Sequence, residues 1–207
     1  MEPIRELIAV DLEMTGLQVK TDRILEIGAV RLVDGQLRDT FQTFVNPHRR
    51  IDARITELTG IRPEMVENAP EAEEALQKFL EFAGEAPFLG HNVIFDYSFL
   101  KQCAVNHKIS LERSALDTLK IARKVLKEPE KKSLEALCGY FQIDREHAHR
   151  AVDDAKATAE LFLMLQQKYQ QQEPGLFVPK PLHYKVKKQG PLTPAQKRDL
   201  NQFDDLS

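Results

Sequence analysis

Five side chains in three short segments are of the types that can hold a hard divalent cation or move a proton. The first segment is Val10-Asp11-Leu12-Glu13-Met14-Thr15-Gly16-Leu17. It continues the apolar run Leu7-Ile8-Ala9-Val10, which reads as a buried strand. Alternation along that strand puts Asp11 and Glu13 on one face and Leu12 on the other. Two carboxylates there repel each other unless something positive lies between them. The second segment is Gly90-His91-Asn92-Val93-Ile94-Phe95-Asp96-Tyr97, where a strand gives way to a helix and Asp96 falls in the first turn. The third runs from His147 to Ala155. Its helix carries an apolar stripe of Ala151, Ala155, Thr158, Phe162 and Leu165. At about 100° per residue, Asp154 lies on the flank of that stripe and Asp153 nearly opposite, toward solvent. His149 precedes the helix body, where its ring can turn inward. Taken singly, each segment has a plainer and better-favoured explanation: an exposed acidic strand end, an acid suited to a helix dipole, a capping histidine.

The elements that position these groups follow from pattern. Leu7–Val10, Ile24–Val33 and Leu37–Val45 read as three strands, with Asp34-Gly35 as a hairpin turn between the last two. Asp52 to Leu58 reads as a short helix stopped by Gly60, and Pro63 opens another turn. Pro70 to Phe82 places Ala72, Ala75, Leu76, Phe79 and Leu80 on one helical face. Ala86–Gly90 and Ser114–Leu116 are two further short strands. Helices are expected over Val93–Val105, after Asp117 as N-cap, after Ser133, and over about Arg150–Lys168. No internal repeat is evident. Beyond Lys168 the chain becomes glutamine- and proline-rich, which reads as a linker or a tail on the surface. Thr193-Pro194-Ala195 resembles a helix start.

The chain has 207 residues and a formal net charge of −3, so it is no general polyanion binder. Basic residues concentrate after Pro174, leaving an acidic body. Cys103 and Cys138 form no metal or redox motif and read as reduced, packed thiols. The stretch MEPIRELIAV has charges in its only apolar run, so neither a signal peptide nor a membrane span is expected, and the expected location is the cytoplasm.

Together the three segments carry a specific resemblance. DLEMTGL with Asp11 and Glu13, HNVIFD with Asp96, and H-x-A-x-x-D from His149 to Asp154 resemble the three motifs of the DnaQ-like, DEDDh-type 3′→5′ exonucleases. The likeness is greatest to the proofreading exonucleases of bacterial DNA polymerase III, the epsilon subunit and the PolC insert. ITELTGI (Ile55–Ile61) and LDTLKIAR (Leu116–Arg123) also look like family segments, and the likeness covers about Leu7 to Lys168. It implies an α/β, ribonuclease H-like fold: a five-stranded mixed sheet with helices on both faces. It divides the chain into an exonuclease domain, 1–170, and a basic, proline-containing tail or linker, 171–207. Deleting the tail after about residue 173 is then expected to leave catalysis intact.

What the resemblance implies chemically is a phosphodiester hydrolase with two Mg²⁺ or Mn²⁺ ions per site. Asp11 would bridge the ions, Glu13 and Asp154 would complete the one beside the attacking water, and Asp96 would support the other. His149 would be the general base and a nucleoside 5′-monophosphate the product. Met14, Thr15, Leu17, Leu58 and Asn92 would hold the terminal nucleotide. Phe95 reads as core, and Asp117, His91 and His147 as bystanders. The expected partners are single-stranded or frayed 3′ ends, DNA favoured, and a DNA polymerase, with a place in replication or repair. Met14 departs from the polymerase-associated pattern and makes DLEMTGL resemble oligoribonucleases, so an oligoribonuclease-like or RNase T-like RNA exonuclease is the alternative. A non-catalytic nucleic-acid or polymerase-binding module would be expected to lack one of the five groups; all five are present.

Overall fold

A computed structural model describes residues 5–145 and 148–186. His147 and the helix start expected at Thr193-Pro194-Ala195 lie outside them. β1 (Glu6–Met14), β2 (Ile24–Val33) and β3 (Gln36–Phe44) form an antiparallel meander. Asp34 and Gly35 both have positive φ, 48° and 74°, the backbone a tight hairpin needs to match the twist of its strands. Two short helices follow, α1 (Ala53–Thr59) and α2 (Pro63–Val66). The Asp52 carboxylate caps α1 by accepting from the Arg54 N–H, and Gly60 ends it in the left-handed region, φ 71°.

The remaining elements are α3 (Ala72–Ala83), β4 (Phe88–Gly90), α4 (Ile94–Asn106), β5 (Ser114–Asp117), α5 (Thr118–Val125), α6 (Leu134–Phe141) and α7 (Ala151–Tyr169). β4 runs parallel to β1 and to β5, so the sheet is mixed. Its order is β3-β2-β1-β4-β5-β6. β4 is apolar and buried throughout, and β5 buries Ala115, Leu116 and Asp117, as parallel strands generally do on both faces.

The strand count corrects the expectation of five. The sixth strand, β6 (Lys180–Pro181), pairs antiparallel with β5 and comes from the segment expected to be tail. After α7 the chain makes a 3-10 turn at Pro174–Phe177 that buries Phe177 against α7. It then buries Leu182 beneath the opposite face of the sheet. The prolines mark a path laid along the body, at least through residue 186, and β6 covers the edge that β5 would otherwise expose.

Alternation on β1 sorts the core into two layers. Leu7 and Ala9 face α5, α6 and α7, while Ile8, Val10 and Leu12 face α3 and α4. Asp11 and Glu13 continue the first of these faces and therefore point toward α7. Among the described residues no helix is long and apolar enough to cross a membrane, and both cysteines are free thiols.

Candidate functional site

The site lies where β1 ends. Its geometry depends on how closely α7 crosses the sheet. Asp11 pairs with Gly28 and Glu13 with Glu26 across the β1–β2 ladder. Gly28 has no side chain to give, and the backbone of Ala151 and Val152 uses that space; a Cβ there would overlap both residues. The first turn of α7 thus sits directly over the acids. Asp154 turns inward from that turn and is only 6% exposed. Carboxylate oxygens of Asp11, Glu13 and Asp154 all lie within 4.8 Å of one another, a spacing one cation can bridge.

Asp96 reaches the same corner from the other layer. It occupies the first turn of α4, is buried, and accepts the Leu12 N–H at 3.2 Å. The charges of Asp96, Glu13 and Asp154 all act on Asp11, so four acids share one electrostatic environment. Burial, then Asp96, Glu13 and Asp154, push the Asp11 carboxyl well up from its ordinary value. Glu13 is pushed up to about 8 by burial, then by Asp154 and Glu26. Burial raises Asp96 to about 7, against the pull of its backbone hydrogen bonds. Acids so arranged resist ionising together and want a compact positive charge.

An arginine meets part of that need. The Arg145 guanidinium, 10% exposed, holds Asp154 Oδ1 through Nε at 3.0 Å and more closely through Nη2. It also acts on Asp11 in the opposite sense to the acids.

The structure does not bring His149 into this group. Its backbone has φ 64°, and the residue is exposed on the turn before α7. Asp153 also differs from expectation. Its side chain is 16% exposed rather than solvent-facing, and it pairs with Lys156 at 3.1 Å.

The residues expected to hold a nucleotide divide into two kinds. Leu17 and Leu58 are large apolar side chains left 77% and 52% exposed, which packing does not explain. Asn92 is exposed too, at φ 71° in the turn entering α4. Met14 is partly buried against the α3–α4 layer. Thr15 is buried, and its hydroxyl accepts the Arg23 N–H at 3.0 Å, closing the loop that displays Leu17.

The bystanders have structural work. Asp117 caps α5, accepting from Leu119 and Lys120, and also accepts the Asn92 N–H at 3.1 Å. His91 is held by Thr118 at 2.9 Å and the Lys132 carbonyl at 2.8 Å, and burial lowers its pKa. Phe95 is only partly buried and meets Phe99 edge-on at 5.5 Å.

Sequence reasoning missed Glu26, Gly28, Arg145 and Arg150. The signal for Glu26 was available: it is the one charge in the apolar run ILEIGAV, on the face shared with Gly28. Arg145 lies in an irregular segment with no periodicity to orient it.

A mixed sheet in this order, flanked by helices on both faces, defines a ribonuclease H-like α/β protein. The sequence profile of the Exonuclease family (RNase T) matches residues 8–162. The chain belongs to this family. It is 45% identical over 166 residues to the PolC-type DNA polymerase III of Caldanaerobacter subterraneus subsp. tengcongensis, covering 80% of this chain and 12% of that protein. The PolC-type polymerase of Bacillus subtilis is 36% identical over 161 residues, covering 76% and 11%. The chain thus spans about an eighth or less of these relatives. Among solved structures, exonuclease X in complex with 5′ overhanging duplex DNA superposes with a TM-score of 0.67 at 24% identity, covering 83% of this chain and 99% of that one. The nuclease domain of 3′hExo, a DEDDh family member bound to rAMP, gives 0.71 at 20% identity, covering 80% and 94%. These two likenesses concern the fold.

Proposed function

We propose that the chain is a metal-dependent 3′→5′ exonuclease that releases nucleoside 5′-monophosphates from DNA ends, with Asp11, Glu13, Asp96 and Asp154 as metal ligands and His149 as general base. The observation that carries this reading is the meeting of Asp11, Glu13 and Asp154 within 4.8 Å, from two elements at opposite ends of the matched region. Asp96, raised to about 7 beside them, supplies the fourth acid.

The donor set is all carboxylate oxygen, which suits Mg²⁺ or Mn²⁺ better than Zn²⁺. Two such ions would polarise the phosphodiester and offset the charge of attacking and leaving oxygens. Arg145 takes Asp154 Oδ1, which leaves Oδ2 of that carboxylate for a cation. His149 receives the proton of the attacking water at a ring nitrogen, which requires its ring to turn in from the exposed turn before α7. Catalytic contacts commonly tighten only once substrate is seated, so the outward position is compatible with this role.

Leu17 and Leu58 offer apolar surface to the terminal base, and Asn92 offers an amide beside Asp96. PolC-type relatives favour DNA as substrate and a polymerase as partner, with proofreading as the setting. The test is digestion of single-stranded DNA, mismatched duplex DNA and short RNA of equal length with Mg²⁺. Release of mononucleotides from DNA is expected, faster from the mismatched end than from a matched one. Much faster cleavage of short RNA would replace this reading with the oligoribonuclease-like one, which Met14 favours.

A further inference from the structure

Glu26 is fully buried, 0% exposed, near the start of β2, yet none of the roles above uses it. A buried carboxylate without partners would be costly, so its contacts indicate what holds it there. Oε1 accepts from Arg150 Nη2 at 2.9 Å and from Gln42 Nε2 at 2.5 Å. Oε2 accepts from Arg150 Nε at 3.2 Å and from the backbone N–H of Ala151 at 3.2 Å. Ala151 is the first residue of α7, whose N-cap residue, Arg150, makes no side-chain cap. Glu26 therefore caps that helix from another element, meeting one of the N–H groups that a helix start leaves unpaired. The same carboxylate takes Arg150 in a two-pronged ion pair, the geometry that fixes orientation best. Arg150 is further held against the Phe44 ring of β3, 5.4 Å from its centroid.

These contacts converge on the one residue between His149 and α7. Asp154 follows Arg150 by four positions. Gly28, two residues along β2 on the same face, lets the helix come down to the sheet. The cost is also visible: Glu26 sits directly across from Glu13 in the β1–β2 ladder, like charge opposite like charge. A carboxylate opposite a metal-site acid is a poor choice for packing alone, since an apolar side chain would fill the strand without that repulsion.

We propose that Glu26 is a positioning residue for the third motif: by clamping Arg150 and the α7 N-terminus it sets Asp154 against Asp11 and Glu13. This rests on the metal-site reading above. Mn²⁺ affinity is measured by calorimetry on the full chain for wild type, Asp154→Asn, Glu26→Gln, Arg150→Met and the Glu26→Gln/Arg150→Met double variant. Turnover and KM on a labelled oligonucleotide are measured at saturating Mn²⁺, and Tm in chelator.

Glu26→Gln should weaken Mn²⁺ binding about 10–100-fold and lower turnover in the same range, the usual effect of losing a ligand's support. KM for the nucleic acid should stay near wild type. The double variant should be no worse than the worse single, because both remove one contact. A lower Tm with Mn²⁺ affinity and turnover unchanged would overturn the proposal, leaving Glu26 a packing residue. Additive losses in the double variant would overturn the Arg150 link. Glu26→Gln keeps the shape but removes the charge and turns one acceptor oxygen into a donor, so it breaks the clamp where a truncation would fail to fold. Wild-type Mn²⁺ affinity in Asp154→Asn would instead defeat the metal-site reading itself, and the clamp with it.

Discussion

At the scale of single residues, two neighbouring acids separate geometry from composition. Asp153 and Asp154 have the same chemistry and adjacent positions on α7, yet Asp154 joins Asp11 and Glu13 while Asp153 pairs with Lys156. Asp154→Asn is expected to lower turnover by roughly 10²-fold or more, the scale of removing one preorganised electrostatic group. Asp153→Asn should leave turnover near wild type and cost a few tenths of a kcal/mol of stability, as for other short-range helix pairs. Steady-state rates and urea midpoints of the two variants check both statements. His149→Ala should reduce turnover by roughly 10²–10⁴-fold, the range for a positioned general base, with Mn²⁺ affinity unchanged. A weakened Mn²⁺ affinity would make His149 a ligand. The acids were legible in sequence because strand alternation and helix periodicity give each a direction. Arg145 was not, since the irregular segment before α7 has no period. Nor was the outward position of His149, set by a left-handed backbone that non-glycine residues rarely adopt.

At the scale of elements, the site depends on α7 lying almost on the backbone of β2. Gly28→Ala puts a methyl into the Ala151–Val152 backbone, which cannot fold away as a side-chain tip can. A loss of about 1–3 kcal/mol is expected, typical of overpacking, together with weaker Mn²⁺ binding because the helix that moves carries Asp154. Denaturant unfolding and calorimetry on one preparation test the pairing of the two effects; lost stability with intact binding would show that β2 yields instead of α7. Most elements were readable from local signals: the Asp34-Gly35 turn, the Gly60 stop of α1, the Asp117 and Ser133 helix starts, and the apolar stripes of α3 and α7. The sixth strand was not. Proline and glutamine composition marks the end of a helix but not whether the following chain leaves the body. What fixes Phe177 and Leu182 is the space left beside α7 and β5, a tertiary fact.

At the scale of the whole molecule, that attached segment changes what truncation should do. Ending the chain after residue 173 removes β6 and takes Phe177 and Leu182 out of opposite core layers. Each buried large side chain lost is worth roughly 2–5 kcal/mol, so the shortened chain should unfold at clearly lower urea. An unchanged midpoint would mean that these contacts add nothing. Stability should also depend on pH through the site. Asp11, Glu13 and Asp96 titrate above their unfolded values near 4, Glu13 about 8 and Asp96 about 7. The native state therefore keeps protons that the unfolded chain has lost, so these groups favour folding most at low pH. Their contribution falls as pH rises through the window from about 4 to about 8. Metal-free Tm should drop across that window, and Mg²⁺ or Mn²⁺ should abolish the drop by binding the ionised native site. The most direct test of the account is a time course on a 5′-labelled single-stranded DNA with wild type and Asp154→Asn, each in Mg²⁺ and in EDTA. The account predicts a ladder shortening one nucleotide at a time from the 3′ end for wild type in Mg²⁺, a ladder slower by roughly 10²-fold or more for Asp154→Asn in Mg²⁺, and none for either in EDTA. A ladder of equal rate in EDTA, or immediate release of the labelled 5′ nucleotide, would contradict it.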